Sequence, residues 1–460
     1  MKKKFKLSDV ILSVICVVFV AEAAAPVASI GNSQFFWWFF MIIAFLVPYG
    51  LISSELGTTY PGSAGLYDWI HAAYPDSNWG ARASWWYWIN YPLWIASLAV
   101  VCPEFISIAF GVEIGTGVGL LIQLGYIWII TVITFYPVCD NIVILNVCAV
   151  IKVVLAVIVG ILGIYYVVVN GFVNDMSVGT FFPSFDLGSL SYISVIIFNC
   201  LGFEIVCTFS DDMSNPKKQI PQAIIIGGLA IAAIYLFGGF GIGAAIPTSE
   251  ISTSSGLIDA VMLMTGKTSG LFVSVIALLF VVTLFGNMIS WSLGVNSTAA
   301  FAAENGDMPR FFAKRWKKND MPIGAAIMNG VVASIIVLLG VIMGIVAPES
   351  ELFWTFFALN LVLFLMSYLP IFPAFLKLRK RDADRERPFC VPGGKVLLKV
   401  FAIVPMVLII VSIIFTAVPL SFDAETLGAT VPITVGSVIC IVLGEVILLF
   451  RKRKANGRQG

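Results

Sequence analysis

Histidine is nearly absent from this chain: there is one in 460 residues, His71, placed in a loop by the sequence pattern. That excludes a His-based catalytic triad and a multi-histidine metal site. Charge is also scarce. Asp, Glu, Lys and Arg together make 12% of the residues, about half the roughly 25% of a soluble protein. The eight cysteines are scattered, mostly within apolar runs. No paired spacing marks a metal site or a disulfide framework. Low-complexity tracts are missing, and the longest hydrophilic connector, around 377–395, is too short for a soluble module and reads as a solvated link. Neither a cofactor nor a metal is expected, and an enzyme is disfavoured because no catalytic constellation is present.

What is there in excess is apolar length. Hydrophobic residues make 59% of the chain, in recurrent runs of about 20, each able to cross a hydrocarbon core of about 30 Å. The first run is too long for a cleaved signal peptide and many follow it. The pattern predicts an all-α integral membrane protein with twelve spans, near 8–31, 35–57, 82–110, 117–137, 141–169, 189–211, 220–245, 270–302, 323–346, 352–376, 396–419 and 428–450. Of the 27 Lys and Arg, 25 fall on the face that an even number of spans assigns to both termini. Lys267 and Lys152 are the exceptions. By the positive-inside rule both termini are cytoplasmic, in a cell-membrane protein. Net charge is +1, and no nucleic-acid partner is expected.

Two spans look interrupted. The first contains "VAEAAAP", in which Pro26 has no amide hydrogen for the carbonyl of Glu22. The sixth contains "IFNCLGFEIVCTFSDD", with Asn199, Gly202 and Glu204 mid-span. Interruptions five spans apart point to a five-plus-five inverted repeat with a substrate site near the bilayer midplane. The whole of 1–460 then forms one polytopic domain: a first repeat at about 8–169, a second at 189–376, and two peripheral helices at 396–450.

Three stretches carry a family resemblance. "GFEIVCTFSDDMSNPKKQIPQA" (202–223), "LISSELGTTYPGSAGLYDW" (51–69) and "GVNSTAAFAAENGDMP" (294–309) resemble the sixth span, the second span and the end of the eighth span of the amino acid–polyamine–organocation (APC) transporters. Within that family the chain is similar to the bacterial arginine/agmatine branch, because Trp291 stands fifteen residues before Gly306, and to the glutamate/GABA branch through "ELGTTYPGSAGLYDW" and "VPGGK". The resemblance implies a LeuT-like fold, alternating access and a central site lined by spans 1, 3, 6, 8 and 10. One departure matters. The family's first span usually breaks at a Gly-x-Gly whose amides bind a substrate carboxylate; here a glutamate stands in its place.

The candidate substrate-binding residues are Ala21, Glu22, Ala23 and Ala25 at the first interruption, Tyr91 and Ile95 on one face of the third span, Phe198, Leu201 and Gly202 at the second interruption, and Trp291. Lys152, Glu204 and Glu104 are candidates for coupling or gating. Glu22 reads as counter-ion to an amine or as a protonated, hydrogen-bonded acid. Lys152 reads as a snorkelling lysine or, by resemblance, as an ammonium standing where related folds bind sodium. Glu204 is a helix-start acid or a protonatable gate. Glu104 is a vestibule acid or one of a structural pair. Trp291 reads as cation–π partner or as packing, and Glu445 as structural.

These residues favour a sodium-independent exchanger of cationic amines such as agmatine or putrescine, working as a monomer or homodimer. A glutamate/GABA-type antiporter or a proton-coupled amino acid permease stays open, with Glu22 as proton carrier. A channel or sensor is weaker, since neither a filter repeat nor a sensory domain can be read.

Overall fold

The computed structural model describes residues 4–20, 23–62, 64–183, 193–252, 255–346 and 352–456. Among them the architecture is helical, with one isolated parallel bridge between Phe5 and Met213. The helices run in order α1 (Leu7–Val18), α2 (Ala24–Ala28), α3 (Ser33–Met41), α4 (Val47–Thr59), α5 (Leu66–Ala73), α6 (Trp79–Phe110), α7 (Thr116–Ile133), α8 (Val138–Asn170) and α9 (Val178–Phe181). They continue with α10 (Ile193–Phe198), α11 (Phe203–Cys207), α12 (Pro216–Ala245), α13 (Gly256–Thr265), α14 (Leu271–Glu304), α15 (Ile323–Val346), α16 (Leu352–Tyr368), α17 (Ile371–Arg381), α18 (Lys395–Ala417) and α19 (Ala424–Asn456). A π-helical turn, Ile42–Leu46, joins α3 to α4 without a break. Among the described residues ten stretches are long and apolar enough to cross a membrane, Ser33–Thr59 and Leu352–Arg381 each counting as one. His71, expected in a loop, lies in the short helix α5.

Two bodies of packed helices can be traced. One joins α1 and α4 to α12; the other joins α14 and α16 to α6. Helix α8 touches both, packing on α12 and α1 on one side and on α14 on the other. In lipid no hydrophobic force draws apolar helices together, so close approach depends on small residues. The α8–α12 seam shows this. A Cβ on Gly241 would stand 2.4 Å from the carbonyl oxygen of Val159, and one on Gly163 would stand 2.6 Å from the Gly241 Cα. Outward faces carry exposed Leu121, Val143, Val407 and Leu449, as a hydrocarbon solvent requires.

The last helix is fastened to α6 by polar contacts. Arg82 grips Glu445 with Nε at 2.5 Å and Nη2 at 3.0 Å. The Trp85 indole donates to the Cys440 carbonyl at 2.8 Å. Glu445 thus joins two helices.

The α8–α12 seam makes the first prediction. Gly241→Leu drives a side chain into backbone, and overpacking of this kind costs about 1–3 kcal/mol. We expect a lower melting temperature and less monodisperse protein in detergent. Gly344→Leu, with open space around its Cβ, should leave both unchanged.

Candidate functional site

A helix end leaves its last carbonyls without intrahelical donors. At the end of α1, surrounded by other helices, those carbonyls need side-chain partners, and side chains from several helices supply them. Lys152 of α8 donates to Cys16 O at 2.7 Å and Phe19 O at 2.5 Å, and to Asn287 Oδ1 of α14 at 2.8 Å. An ammonium has three donors, and three oxygen acceptors stand within reach of this one. Trp291 Nε1 donates to Val17 O at 2.7 Å. Tyr235 of α12 accepts from Val20 N at 2.8 Å and donates to Val20 O at 3.1 Å. Helical structure resumes at Ala24. Pro26 sits inside α2 as its third residue, where a missing amide hydrogen leaves no bond unmade. Ala21 and Glu22 lie outside the described residues.

The second interruption runs from Phe198 to Phe203. Gly202, at φ 107°, is in the region that favours glycine, and a Cβ there would lie 2.8 Å from Trp291 Cζ2. Conformation and close approach therefore both demand glycine. Asn199 reaches back to the first interruption, its Nδ2 donating to Ala23 O at 3.4 Å.

Around these ends stands an aromatic box. The Phe198 ring meets Trp94 at 5.0 Å, Phe357 at 5.3 Å and Phe364 at 5.4 Å between centroids. Trp291 meets Trp94 at 5.0 Å and Phe364 at 5.2 Å. All these contacts are edge-on or nearly so, as ring quadrupoles favour. Three buried polar groups here lack a hydrogen-bond partner among the described residues: Trp94 Nε1, Asn199 Oδ1 and both amide atoms of Asn360. Asn360 follows Phe357 by three residues and precedes Phe364 by four, so it shares their helix face. Buried polar atoms without partners are uncommon and costly, and three beside one box suit it to a polar occupant.

Glu204, in the first turn of α11, is buried at 1% exposure. It accepts three phenol hydrogens: Tyr49 of α4 at 2.5 Å, Tyr87 of α6 at 2.7 Å and Tyr368 of α16 at 2.5 Å. Two of these donors belong to the α6 body, so one carboxylate ties the two bodies together.

The structure therefore gathers Ala23, Phe198, Leu201, Gly202, Trp291 and Lys152 about the two interruptions, with Glu204 one turn beyond. Ile95 is buried nearby on α6, one turn after Tyr91 and one residue after Trp94. Tyr91 donates to Met288 O at 2.9 Å, which ties α6 to α14. Ala25 packs on α13, 3.0 Å from where a Gly256 Cβ would stand. Glu104 is exposed near the end of α6, within electrostatic reach of Asp259 and Ser255, apart from this group. Sequence reading missed Tyr49, Tyr87, Tyr368, Trp94, Phe364, Asn287 and Asn360. Three left a signal: Tyr87 and Trp94 stand four residues before and three after Tyr91, and Asn287 four before Trp291, so each shares the face of a residue already singled out.

Comparison with known proteins follows this geometry. The family model described as "Amino acid permease" matches residues 5–444. The protein named "Probable agmatine/putrescine antiporter AguD" from Lactococcus lactis subsp. lactis (strain IL1403) is 59% identical over 98% of this chain and 96% of its own. A "Glutamate/gamma-aminobutyrate antiporter" from the same strain is 27% identical over 56% of this chain and 52% of its own. In fold, the crystal structure of MhsT in complex with L-phenylalanine superposes with TM-score 0.61 at 14% identity, covering 90% of this chain and 99% of that one. MhsT is a LeuT-fold protein, and the likeness concerns fold alone.

The caps on α1 predict an order of stability. Trp291→Phe keeps a ring but strands the Val17 carbonyl, at about 1–3 kcal/mol for an unsatisfied buried group. Lys152→Met strands three acceptors and should cost more. Melting of the purified variants in detergent should rank wild type above Trp291→Phe and Trp291→Phe above Lys152→Met; a Lys152→Met protein as stable as wild type would contradict the capping role.

Proposed function

The chain belongs to the amino acid permease family, and from that premise we propose that it is a sodium-independent exchanger of agmatine- and putrescine-like amines. That it is a multi-pass membrane transporter of small molecules, not an enzyme, follows from the family itself. The observation that carries the amine assignment is the 59% identity, over nearly both full lengths, to a protein named as an agmatine/putrescine antiporter.

Three features support it. First, the basic side chain beside the α1 end, Lys152, already has three oxygen acceptors and is not needed to hold a substrate carboxylate. Second, the box of Phe198, Trp291, Trp94 and Phe364 suits an aliphatic chain with a cationic end, since cation–π contact contributes about 0.5–2 kcal/mol. The Asn199 and Asn360 carbonyl oxygens are acceptors for ammonium or guanidinium hydrogens. Third, Glu22 adds a carboxylate in sequence where relatives carry glycines. Two like charges 4 Å apart at an effective dielectric near 20 repel by about 4 kcal/mol, which disfavours a substrate carboxylate there.

In this reading α1 with α2, and α10 with α11, are the halves of two broken spans. With the ten long apolar stretches they make twelve, arranged as LeuT-like repeats at about 8–169 and 189–376 and two peripheral helices. Both termini face the cytoplasm, the protein sits in the cell membrane as a monomer or homodimer, and Glu104 guards the outer vestibule. The Lys152 ammonium, held by two carbonyls and an amide oxygen, occupies the sort of oxygen cage an alkali cation would take. Sodium independence follows.

Counterflow by purified protein in liposomes tests this. Agmatine or putrescine inside should drive uptake of labelled agmatine, equally in sodium and in choline buffer. Both amines should compete better than arginine, glutamate or neutral amino acids at neutral pH, and Glu22→Gln should narrow that preference. Steep sodium dependence would remove the role given to Lys152; glutamate outcompeting every amine would leave the family and end the amine assignment.

A further inference from the structure

The connector read as a solvated link is mostly exposed, yet it is also docked, and a carboxylate far from the central site docks it. Glu55 lies in the last two turns of α4, its side chain 3% exposed. Arg379 of α17 grips it with Nε on Oε1 and Nη2 on Oε2, both at 2.6 Å. Arg387 Nε reaches Oε1 at 3.1 Å, and the Val391 amide donates to Oε2 at 2.7 Å. Four donors thus converge on one carboxylate. Arg387 in turn holds its own loop, donating to the carbonyls of Asp382 at 2.8 Å and Arg385 at 3.0 Å. Tyr60, just past α4, donates to Asp382 at 2.6 Å and lies 4.3 Å beneath the Arg385 guanidinium. Segment 382–391 is therefore a strap folded onto the end of α4.

The strap joins the two helix bodies. Helix α4 packs with α12, while α17 continues α16, which packs on α6. Glu204 bridges the same two bodies in the interior; Glu55 bridges them on the face of the N-terminal segment, where Phe5 N donates to Asp212 O at 2.8 Å and Lys217 reaches Glu386 of the strap at 3.6 Å. The clamp is also placed to be reversible. Arg379 and Arg387 side chains keep 22% and 11% exposure. Ions at a water edge regain hydration when a pair opens, whereas a fully enclosed pair would strand its charges.

We propose that Glu55, Arg379 and Arg387 form an ion latch, with 382–391 as its strap, that closes the termini-side mouth of the transport pathway and lets go when that mouth opens. The latch rests on the transporter reading but not on the choice of amine.

The test uses the Val391 side chain, which is 2% exposed, as a reporter. Val391→Cys is placed in a Cys390→Ser background and treated, without substrate, with a membrane-impermeant maleimide from the termini side. Alkylation should be slow, and adding Glu55→Gln should speed it by at least about tenfold, as loss of a multiply bonded buried charge implies. Arg387→Gln, which removes one donor, should have a smaller effect and serves if Glu55→Gln fails to fold. In counterflow, Glu55→Gln without the reporter should lower the apparent KM on the termini side and raise it on the other, because a released latch favours the conformation open to the termini side. Unchanged alkylation in a folded variant overturns the latch. Faster alkylation with the same KM ratio across the two faces overturns its gating role and leaves a static brace. Absence of amine counterflow in the parent alone would count against the amine assignment, not against the alkylation result.

Discussion

The structure depends on a constraint set by the bilayer: a backbone carbonyl that leaves a helix in an apolar interior needs a donor. Helix α1 stops at Val18 in the middle of the molecule, and donors must come from outside it. They come from three helices at once, α8 through Lys152, α12 through Tyr235 and α14 through Trp291. Each donor that satisfies the α1 end also fixes a helix around it. The interruption is thus a junction at which the packing of neighbours is decided, and that gives the aromatic box its fixed walls.

From this junction the molecule divides into two bodies whose shared surface is mostly apolar and aromatic. Apolar surfaces can slide or part without leaving unpaired charges; carboxylates with several donors cannot. Two such carboxylates, Glu204 and Glu55, sit where the α4 body meets the α6–α16 body. They differ in kind. Glu204 is held by neutral phenols, and separating it from them frees hydroxyls and one acid. Glu55 is held by two guanidinium groups at a water edge, and its release frees ions that water can take up. The inner tie therefore suits a place that stays dry, and the outer tie a place that is wetted when it opens.

Much of this was legible because ionisable residues are rare in the spans. Lys152 and Glu204 stand out in any reading of the apolar runs, and both prove heavily partnered. Glycine and proline were informative to different degrees. Gly202 was read as an interruption and has both the φ and the crowding to require it. Pro26 was read as weakening its helix, yet it lies in the first turn of α2, where proline fits. Tyr49 and Tyr368, beside Glu204, were illegible because tyrosine is common in membrane helices and no local pattern distinguishes a cage from an interfacial belt. The docking of the strap was illegible for a different reason. Its charges resemble any solvated loop, and its partner Glu55 lies more than 300 residues away in the chain. Sequence spacing carries no trace of such a pairing.

The charge balance of the core bears on how the exchange proposed for this protein would be enforced. Lys152 has three fixed oxygen partners and Glu204 three fixed hydroxyl partners, so neither depends on a substrate. In the proposed reading an amine supplies the counter-charge of the Glu22 carboxylate. With an amine bound, the charges are paired when both mouths are shut. Without one, shutting both mouths would enclose that carboxylate without the amine's charge, in a medium where an isolated charge is penalised by several kcal/mol even after relaxation. The empty protein would then cross between its two orientations far more slowly than the loaded one. On that proposal exchange needs no further device: it follows from the cost of closing away from water a carboxylate whose amine has left, which one incoming amine removes and its departing counterpart restores.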